Sequence, residues 1–558
     1  MKPNIRWQIL FAFLGFVLVV SLLSIQVQSA GLCTVRVPAA GGVFSEGIVG
    51  APQYLNPLLS DPNPVDRELS SLIFDGLTRY ADGVFVPALA QSWEVSEDGR
   101  FITFTLRDDI TWQDGEPVTS QDVAATYALL QDPAFPGDAG LQRFWETVKI
   151  HPISDTVIEF ELVEPYAPFL ESVSRGIMPA HLLEGVTAAD LTTMQFNREP
   201  IGTGPFIVEA GQDWDRDRSL LLTPSPDFWP QGTQITNLEY QFFADETAVL
   251  QAYADGEIQA INHISPSMLP QAIQNSDIRL FTNTAPRYTS LLFNLTDAGG
   301  TAVRMTDVRK ALAYALDQQQ LVDTVLNGQG ILHNGPYLPS SWAYSPDLHT
   351  PYSYAPVTAS ETLTNSGWII DVGQTTRTRE GEALNLRLLT WDNPTNRNLA
   401  NAITTQWEAV GATVELTLMA DWTEFQQALA ARTFDVALVD VFPPGDPDLY
   451  DFWSQEAIIR GQNYAGWNRR RASEALEDGR KLWPEAERKP FYDTFQRLYN
   501  DDLPELSLYQ HVNSYGISET VHEVEIGRID EPRDRYLTLE NWYMLFRDVT
   551  VACPEGET

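Results

Sequence analysis

Between residues 384 and 439 the apolar residues change period in a fixed order, and that order admits few architectures. Leu384, Leu386 and Leu388 alternate as on a strand, and Leu399, Ile403, Trp407 and Val410 follow at helical spacing up to a stop at Gly411. Val414, Leu416 and Leu418 alternate again, and a short helical set, Trp422, Phe425 and Leu429, leads to Phe434-Asp435-Val436-Ala437-Leu438-Val439, a strand of the buried kind. Strand, helix, strand, helix, strand in succession predicts an α/β fold with parallel pairing and right-handed crossovers. Ligands in such sheets bind beyond the carboxyl ends of the strands, so the loops starting at Trp391 and at Asp440 are the candidate site. The first reads Trp391-Asp392-Asn393-Pro394-Thr395-Asn396, and the second runs from Asp440 through Phe442, Pro443 and Pro444 to Gly445-Asp446-Pro447-Asp448. Aromatic faces, carboxylates and stiffened backbone suit a preformed polar pocket. Of equal weight is a plainer reading, in which the aromatics cap a core and the prolines turn the chain.

At the amino terminus, Lys2 and Arg6 precede an apolar run from Ile9 to Ile25 that ends in Gln26-Val27-Gln28-Ser29-Ala30-Gly31. A positive flank, an apolar stretch and small residues make residues 1–31 an export signal or membrane anchor, with everything beyond outside the plasma membrane. Cleavage and anchoring both stay open, because the run is long for a signal and near the length that spans a bilayer. Leu32 stands before Cys33, where lipoprotein processing wants a small residue, so lipidation is the weaker reading. The other cysteine is Cys553; in an oxidising compartment the two pair and staple the termini, or remain two separate thiols.

The chain of 558 residues, 44% apolar, is long enough for two or three domains. A net charge of −39, from 36 basic and 75 acidic residues, argues against nucleic-acid binding, which needs concentrated lysine and arginine. The one basic cluster, Arg469-Arg470-Arg471, reads as a solvated helix face. Acidity of this size keeps an exported protein soluble. Enzyme signatures are missing: there is no G-x-S-x-G elbow, P-loop, H-E-x-x-H or C-x-x-C, and nothing places two carboxylates in one cleft. The seven histidines form no close ligand pair, which disfavours a metal, and no cofactor is implied. Asn294-Leu295-Thr296 formally fits a glycosylation acceptor but reads as backbone structure.

Strands and helices mix along the whole chain, without repeats or a dividing linker. Phe101 to Leu106 alternates as a strand after the turn Glu97-Asp98-Gly99, and Thr119 with Asp122 predicts a capped helix carrying Val123, Tyr127 and Leu130. From Thr306-Asp307, Val308, Ala311, Leu312, Ala315 and Leu316 mark a helix burying one stripe.

The stretch Leu89-Ala90-Gln91-Ser92-Trp93-Glu94-Val95, continuing through Gly99, the 101–106 strand, Trp112-Gln113-Asp114-Gly115, Thr119 and Asp122-Val123, closely resembles the extracellular solute-binding proteins of family 5, which serve peptide and nickel ABC importers. Leu55-Asn56-Pro57, Gly202-Thr203-Gly204-Pro205-Phe206, Pro226-Asp227-Phe228-Trp229, Phe293-Asn294-Leu295, the helix after Asp307, Gly367-Trp368 and Asp446-Pro447 follow in the family's order, over roughly residues 42 to 545. The resemblance implies a type-2 periplasmic-binding fold of the cluster C kind. Lobe one would comprise residues 40–289 plus 506–545, with an inserted subdomain at about 80–196, and lobe two residues 290–505. Crossovers around Arg287 to Asn294 and Leu503 to Tyr509 would act as the hinge. It further implies a monomer at the extracellular face or in the periplasm, with an ABC permease and ATPase as partners. A sensing receptor is the alternative role.

One departure bears on the ligand. Peptide-binding relatives carry an acid four residues ahead of the proline matching Pro447, where it pairs with the peptide's amino group; here that position is Pro443. The arginine that dipeptide binders use is absent from residues 391–396, Arg397 being the nearest. A peptide or similar small polar solute remains the expectation, with oligosaccharide as competitor, since Trp342, Trp391, Trp453 and Trp467 offer faces for sugar rings. The expected ligand-binding residues are Trp391, Asp392, Asn393, Asp440, Phe442, Asn56 and Trp467.

Overall fold

The computed structural model describes residues 5–29, 32–229 and 231–552. An eleven-stranded sheet runs through most of the molecule, in the order Thr413–Met419, Asn385–Trp391, Val436–Val441, Ile278–Phe293, Glu505–Ser518, Ala260–Ile264, Val43–Val49, Asn237–Phe243, Ser219–Pro224, Phe206–Val208, with Gly330–Leu332 also paired to Glu505–Ser518. The expected β-α-β-α-β unit forms one end. Leu388 sits opposite both Leu416 and Val436 in parallel register, which makes Asn385–Trp391 the central strand of the three. The crossover helix Pro394–Ala409 begins on an Asn393 cap with proline in its first turn, and the chain leaves its far end through Gly411 at φ +92°. That backbone angle is costly for a side chain with a Cβ. Trp407 pins this helix to the Thr306–Tyr314 helix by donating its indole N–H to the Leu312 carbonyl at 3.0 Å.

Two long antiparallel strands, Ile278–Phe293 and Glu505–Ser518, join the halves. The cores divide on either side of them. Most buried apolar residues from Phe44 to Ala260, with Tyr515 to Trp542, form one cluster, and those from Val249 to Ala272 a small one beside it, whereas those from Leu291 to Tyr509 belong to two others. The result is a two-lobed α/β fold of the expected class. A separate antiparallel sheet, Ala90–Val95, Phe101–Leu106, Val157–Glu161 and Lys149–Ser154, packs onto the first lobe. Its second strand buries Ile102, Phe104 and Leu106 and leaves the alternate residues half-exposed, the period of two expected from sequence. Thr119 and Asp122 form the expected capping box, and Asp122 also accepts the Ala180 N–H at 2.6 Å. A cap of this kind is worth about 1 kcal/mol.

Helix Ile5–Ser29 covers the amino-terminal apolar run, and its described side chains from Leu10 to Leu22 stand exposed, in none of the core clusters. Among the described residues no helix is long and apolar enough to cross a membrane. Strand Leu32–Ala39 pairs antiparallel with Leu545–Ala552, setting Cys33 opposite Val551. Cys553 lies outside the described residues, and with it the expected Cys33–Cys553 pairing.

Candidate ligand cleft

The long strands do not pair evenly. Thr284 faces Val512 and Tyr288 faces Gln510, so Ala285, Pro286 and Arg287 oppose a single residue, His511. Pro286 has no N–H to give to a ladder, and a bulge is where a strand tolerates it. Gln510 secures the bulge by donating its side-chain amide to the Ala285 carbonyl at 3.0 Å. The irregularity falls where the sheet passes from one core to the other.

Two cavities, of about 310 and 480 Å³, open at this bulge and share Ala285, Pro286, Phe442, Ile529 and Asp530 in their walls. The smaller lies between Tyr80 and Phe85 of the first lobe and Tyr337, Pro443 and Pro444 of the second. The larger reaches toward Glu68, Asn262 and Tyr515 and has Arg287 at its rim. Both volumes fall within the range of small-molecule sites.

The charges around the cleft are arranged pair by pair. Asp440 accepts the Thr289 hydroxyl at 2.6 Å, and Thr289 Oγ1 lies 2.7 Å from His511 Nε2. Since the single hydroxyl proton goes to Asp440, His511 must donate from Nε2. Burial pushes the Asp440 carboxyl up, but the His511 hydrogen bond and charge, the Thr289 bond and the Arg287 charge outweigh it and hold the group below its usual range. On the opposite wall, Glu171 accepts the N–H groups of Gly445 at 3.0 Å and Asp446 at 3.1 Å. This carboxylate therefore bridges the first lobe to the proline-rich loop of the second. Burial raises it to about 7 despite the two donors, with Asp446 and Asp448 adding repulsion. Beneath the loop, Arg488 grips Asp446 in a two-bond fork at 2.7 and 2.5 Å, both side chains nearly excluded from water.

The cavities lie beside the two long strands that join the lobes, with carboxylates and aromatics on facing walls. The model of the bacterial extracellular solute-binding proteins, family 5, matches residues 84–457, more than half of the sequence. This chain belongs to that family. Among family 5 relatives, the oligopeptide-binding protein AppA of Bacillus subtilis (strain 168) is 24% identical over 519 residues, covering 91% of this chain and 92% of the relative. The dipeptide-binding protein of Escherichia coli (strain K12) is 24% identical over 507 residues, covering 85% and 91%. The structure of the Bacillus subtilis AppA, in complex with a nonapeptide, superposes with a TM-score of 0.71 at 22% identity over 91% of this chain and 100% of that one. The family is one of solute-binding proteins.

Within this family 5 scaffold the expected site residues are placed unequally. Phe442 lines both cavities and is 58% exposed; Asp440 lies on the adjoining strand, inside the Val436–Val441 element and not in the loop after it as expected. Its ladder partner is Thr289, and Tyr288 opposite Val441 carries the strand one residue further. Residues 391–393 line neither cavity. Trp391 packs edge-on against Trp422 with centroids 5.1 Å apart, Asp392 pairs with Arg397 at 2.6 Å, and Asn393 is occupied as a helix cap. Trp467 and Asn56 are core residues, a correction to their expected ligand contact. Trp467 is 3% exposed and donates to Asp502, and Asn56 is fully buried with its amide on Asn197. Glu171, Tyr80, Arg287 and Tyr337, which do line the cleft, carry no local pattern. Pro286 inside a strand was the signal that would have pointed to the bulge. Among the described residues no group of three or more His, Cys, Asp or Glu is placed to hold a metal.

Proposed function

We propose that this protein captures a peptide, or a similar small polar solute, between its lobes outside the plasma membrane and delivers it, as a monomer, to a permease powered by an ATPase. The observation that carries the reading is the pair of cavities opening at the strand bulge, walled by both lobes and crossed by the Glu171 bridge. A site closed by two bodies that meet at two strands is built to trap and release. The names of the family 5 relatives, oligopeptide-binding and dipeptide-binding, favour peptide. No tryptophan lines either cavity, which removes the support for sugar stacking. Lobe one as residues 40–289 plus 506–545, with residues 80–196 as an inserted subdomain, and lobe two as 290–505 remain the proposed division, with the crossovers around Arg287 to Asn294 and Leu503 to Tyr509, next to the bulge at Pro286, as the proposed hinge.

Recognition of the peptide amine is proposed to differ from that of the peptide binders. Pro443 offers no charge at the expected place, and Asp440 already receives Thr289 and His511. The test is calorimetric titration of the purified protein with mixed tri- to pentapeptides, free or N-acetylated. Binding of both, with affinities within about threefold, supports the reading, because losing a buried charge pair would cost far more. Absence of binding to any peptide, or turnover of the peptides, overturns it.

A further inference from the structure

Two arginines line the larger cavity, and they differ in their partners. Arg535 reaches Glu46 at 3.1 Å, Glu68, and the hydroxyl of Tyr240 at 3.0 Å through one terminal nitrogen, although its Nε, like that of Arg287, is buried without a partner. Arg287 makes no hydrogen bond or ion pair among the described residues. Its Nε is buried without a partner, and its guanidinium carbon lies 5.8 Å from the centre of the Phe442 ring. A guanidinium N–H withdrawn from water and left unpaired is unfavourable, and folded proteins mostly avoid it. In a chain with 75 acidic residues this is not for lack of carboxylates. The acids of the same cavity are engaged elsewhere: Asp530 with Arg528 at 2.8 Å, Glu531 with Arg533 at 2.9 Å, and Glu246 with Ser265 at 2.6 Å.

We infer that Arg287 is the docking point for a carboxylate of the bound solute, with Phe442 stacked on the guanidinium face to leave its edge free for a two-bond fork. The inference rests on the proposed solute-binding role of this cleft. Arginine suits the task because its planar donors match a carboxylate while its face stays available to an aromatic ring. The position also ties ligand to motion. Arg287 lies in the unpaired bulge between Thr284 and Tyr288, where the sheet passes from lobe to lobe, and Phe442 belongs to the second lobe. A carboxylate held there fixes the bulge and the Phe442 loop together, so ligands bearing that group are the ones that stabilise the closed form. For a peptide, the group is the carboxyl terminus or an acidic side chain.

The test compares three probes on the full chain: a mixture of tri- to pentapeptides lacking Asp and Glu with free carboxyl termini, the same mixture amidated, and succinate at millimolar concentration. Calorimetry reads the peptides and thermal shift reads succinate. The expected result is at least tenfold weaker binding of the amidated mixture to the native protein. Equal binding of both mixtures to Arg287→Gln is expected too, with a partial difference in Arg287→Lys, which keeps the charge but not the fork. Equal binding of both mixtures to the native protein overturns the inference, as does discrimination that survives in Arg287→Gln. If Arg287→Gln does not fold, Arg287→Lys against the native protein carries the comparison. Should no peptide bind while succinate raises the melting temperature of the native protein but not of Arg287→Gln, the carboxylate site stands and the peptide reading falls. If neither peptides nor succinate have any effect, both fall.

Discussion

The loops that leave the neighbouring parallel strands Asn385–Trp391 and Val436–Val441 are alike in composition and unlike in position. Each brings an aromatic ring, an acid and a proline, and each leaves the carboxyl end of a strand. The strand ending at Val441 lies directly against Ile278–Phe293, one of the two long strands that join the lobes, so Phe442 and the prolines behind it face the other lobe. The strand ending at Trp391 is one place further out, and Trp391 closes on Trp422 of its own lobe. The carboxyl-end rule names the edge of the sheet; adjacency to the long strand that joins the lobes selects the loop on that edge.

The anchors of the two loops make the contrast measurable. Arg488 holds Asp446 out of water, and removing one partner from a buried pair leaves an uncompensated charge. Arg488→Ala is therefore expected to lower the unfolding free energy by about 3–5 kcal/mol in denaturant titration. Arg397→Ala, which releases Asp392 at a site where the arginine is 46% exposed, is expected to cost no more than about 1 kcal/mol. Equal losses would erase the distinction. Next in size, Phe442→Ala should weaken peptide binding at least about tenfold, near 1.4 kcal/mol, and Trp391→Ala less than about twofold, by calorimetry.

Proton linkage sharpens the comparison further, because the Glu171 bridge serves one loop and not the other. Its carboxyl is raised from 4.5 to about 7 with the lobes in contact, facing Asp446, Asp448 and Tyr80. A raised acid takes up a proton as the cleft closes. Its favourable contribution is complete below about pH 4.5 and is lost as pH rises through about 7. Affinity is expected to fall by roughly tenfold between pH 5 and 7, the full linkage being reduced by residual hydration, and Glu171→Gln should flatten the profile. A rise in affinity over that interval contradicts the assignment. Asn393→Ala should cost about 1 kcal/mol of stability as a lost cap, with affinity unchanged within about twofold.

Much of this architecture is local in origin and therefore readable. The alternation of 384–388 and 414–418, the helix stop at Gly411 and the Thr119–Asp122 box each depend on residues within one turn or one strand. The ordered motifs from Leu89 to Val123 carry the family. The cleft is different. Glu171 meets Gly445 across 274 positions, and Thr289 meets Asp440 across 151, so no window of sequence contains either contact. Trp467 misleads for a related reason: an aromatic beside polar residues looks like a binding face until Trp453 and Tyr499 are folded around it. Asn56 sits in a family motif because a buried amide must be satisfied, here by Asn197, and not because it meets a solute.

The proposed place of the solute is the cleft beneath Phe442. Native mass spectrometry of the protein purified from its own host tests it directly. The native chain and Trp391→Ala are expected to carry the same bound mass, and Phe442→Ala to have lost it while remaining folded. A bound mass that persists in Phe442→Ala and disappears in Trp391→Ala would move the site to the outer loop.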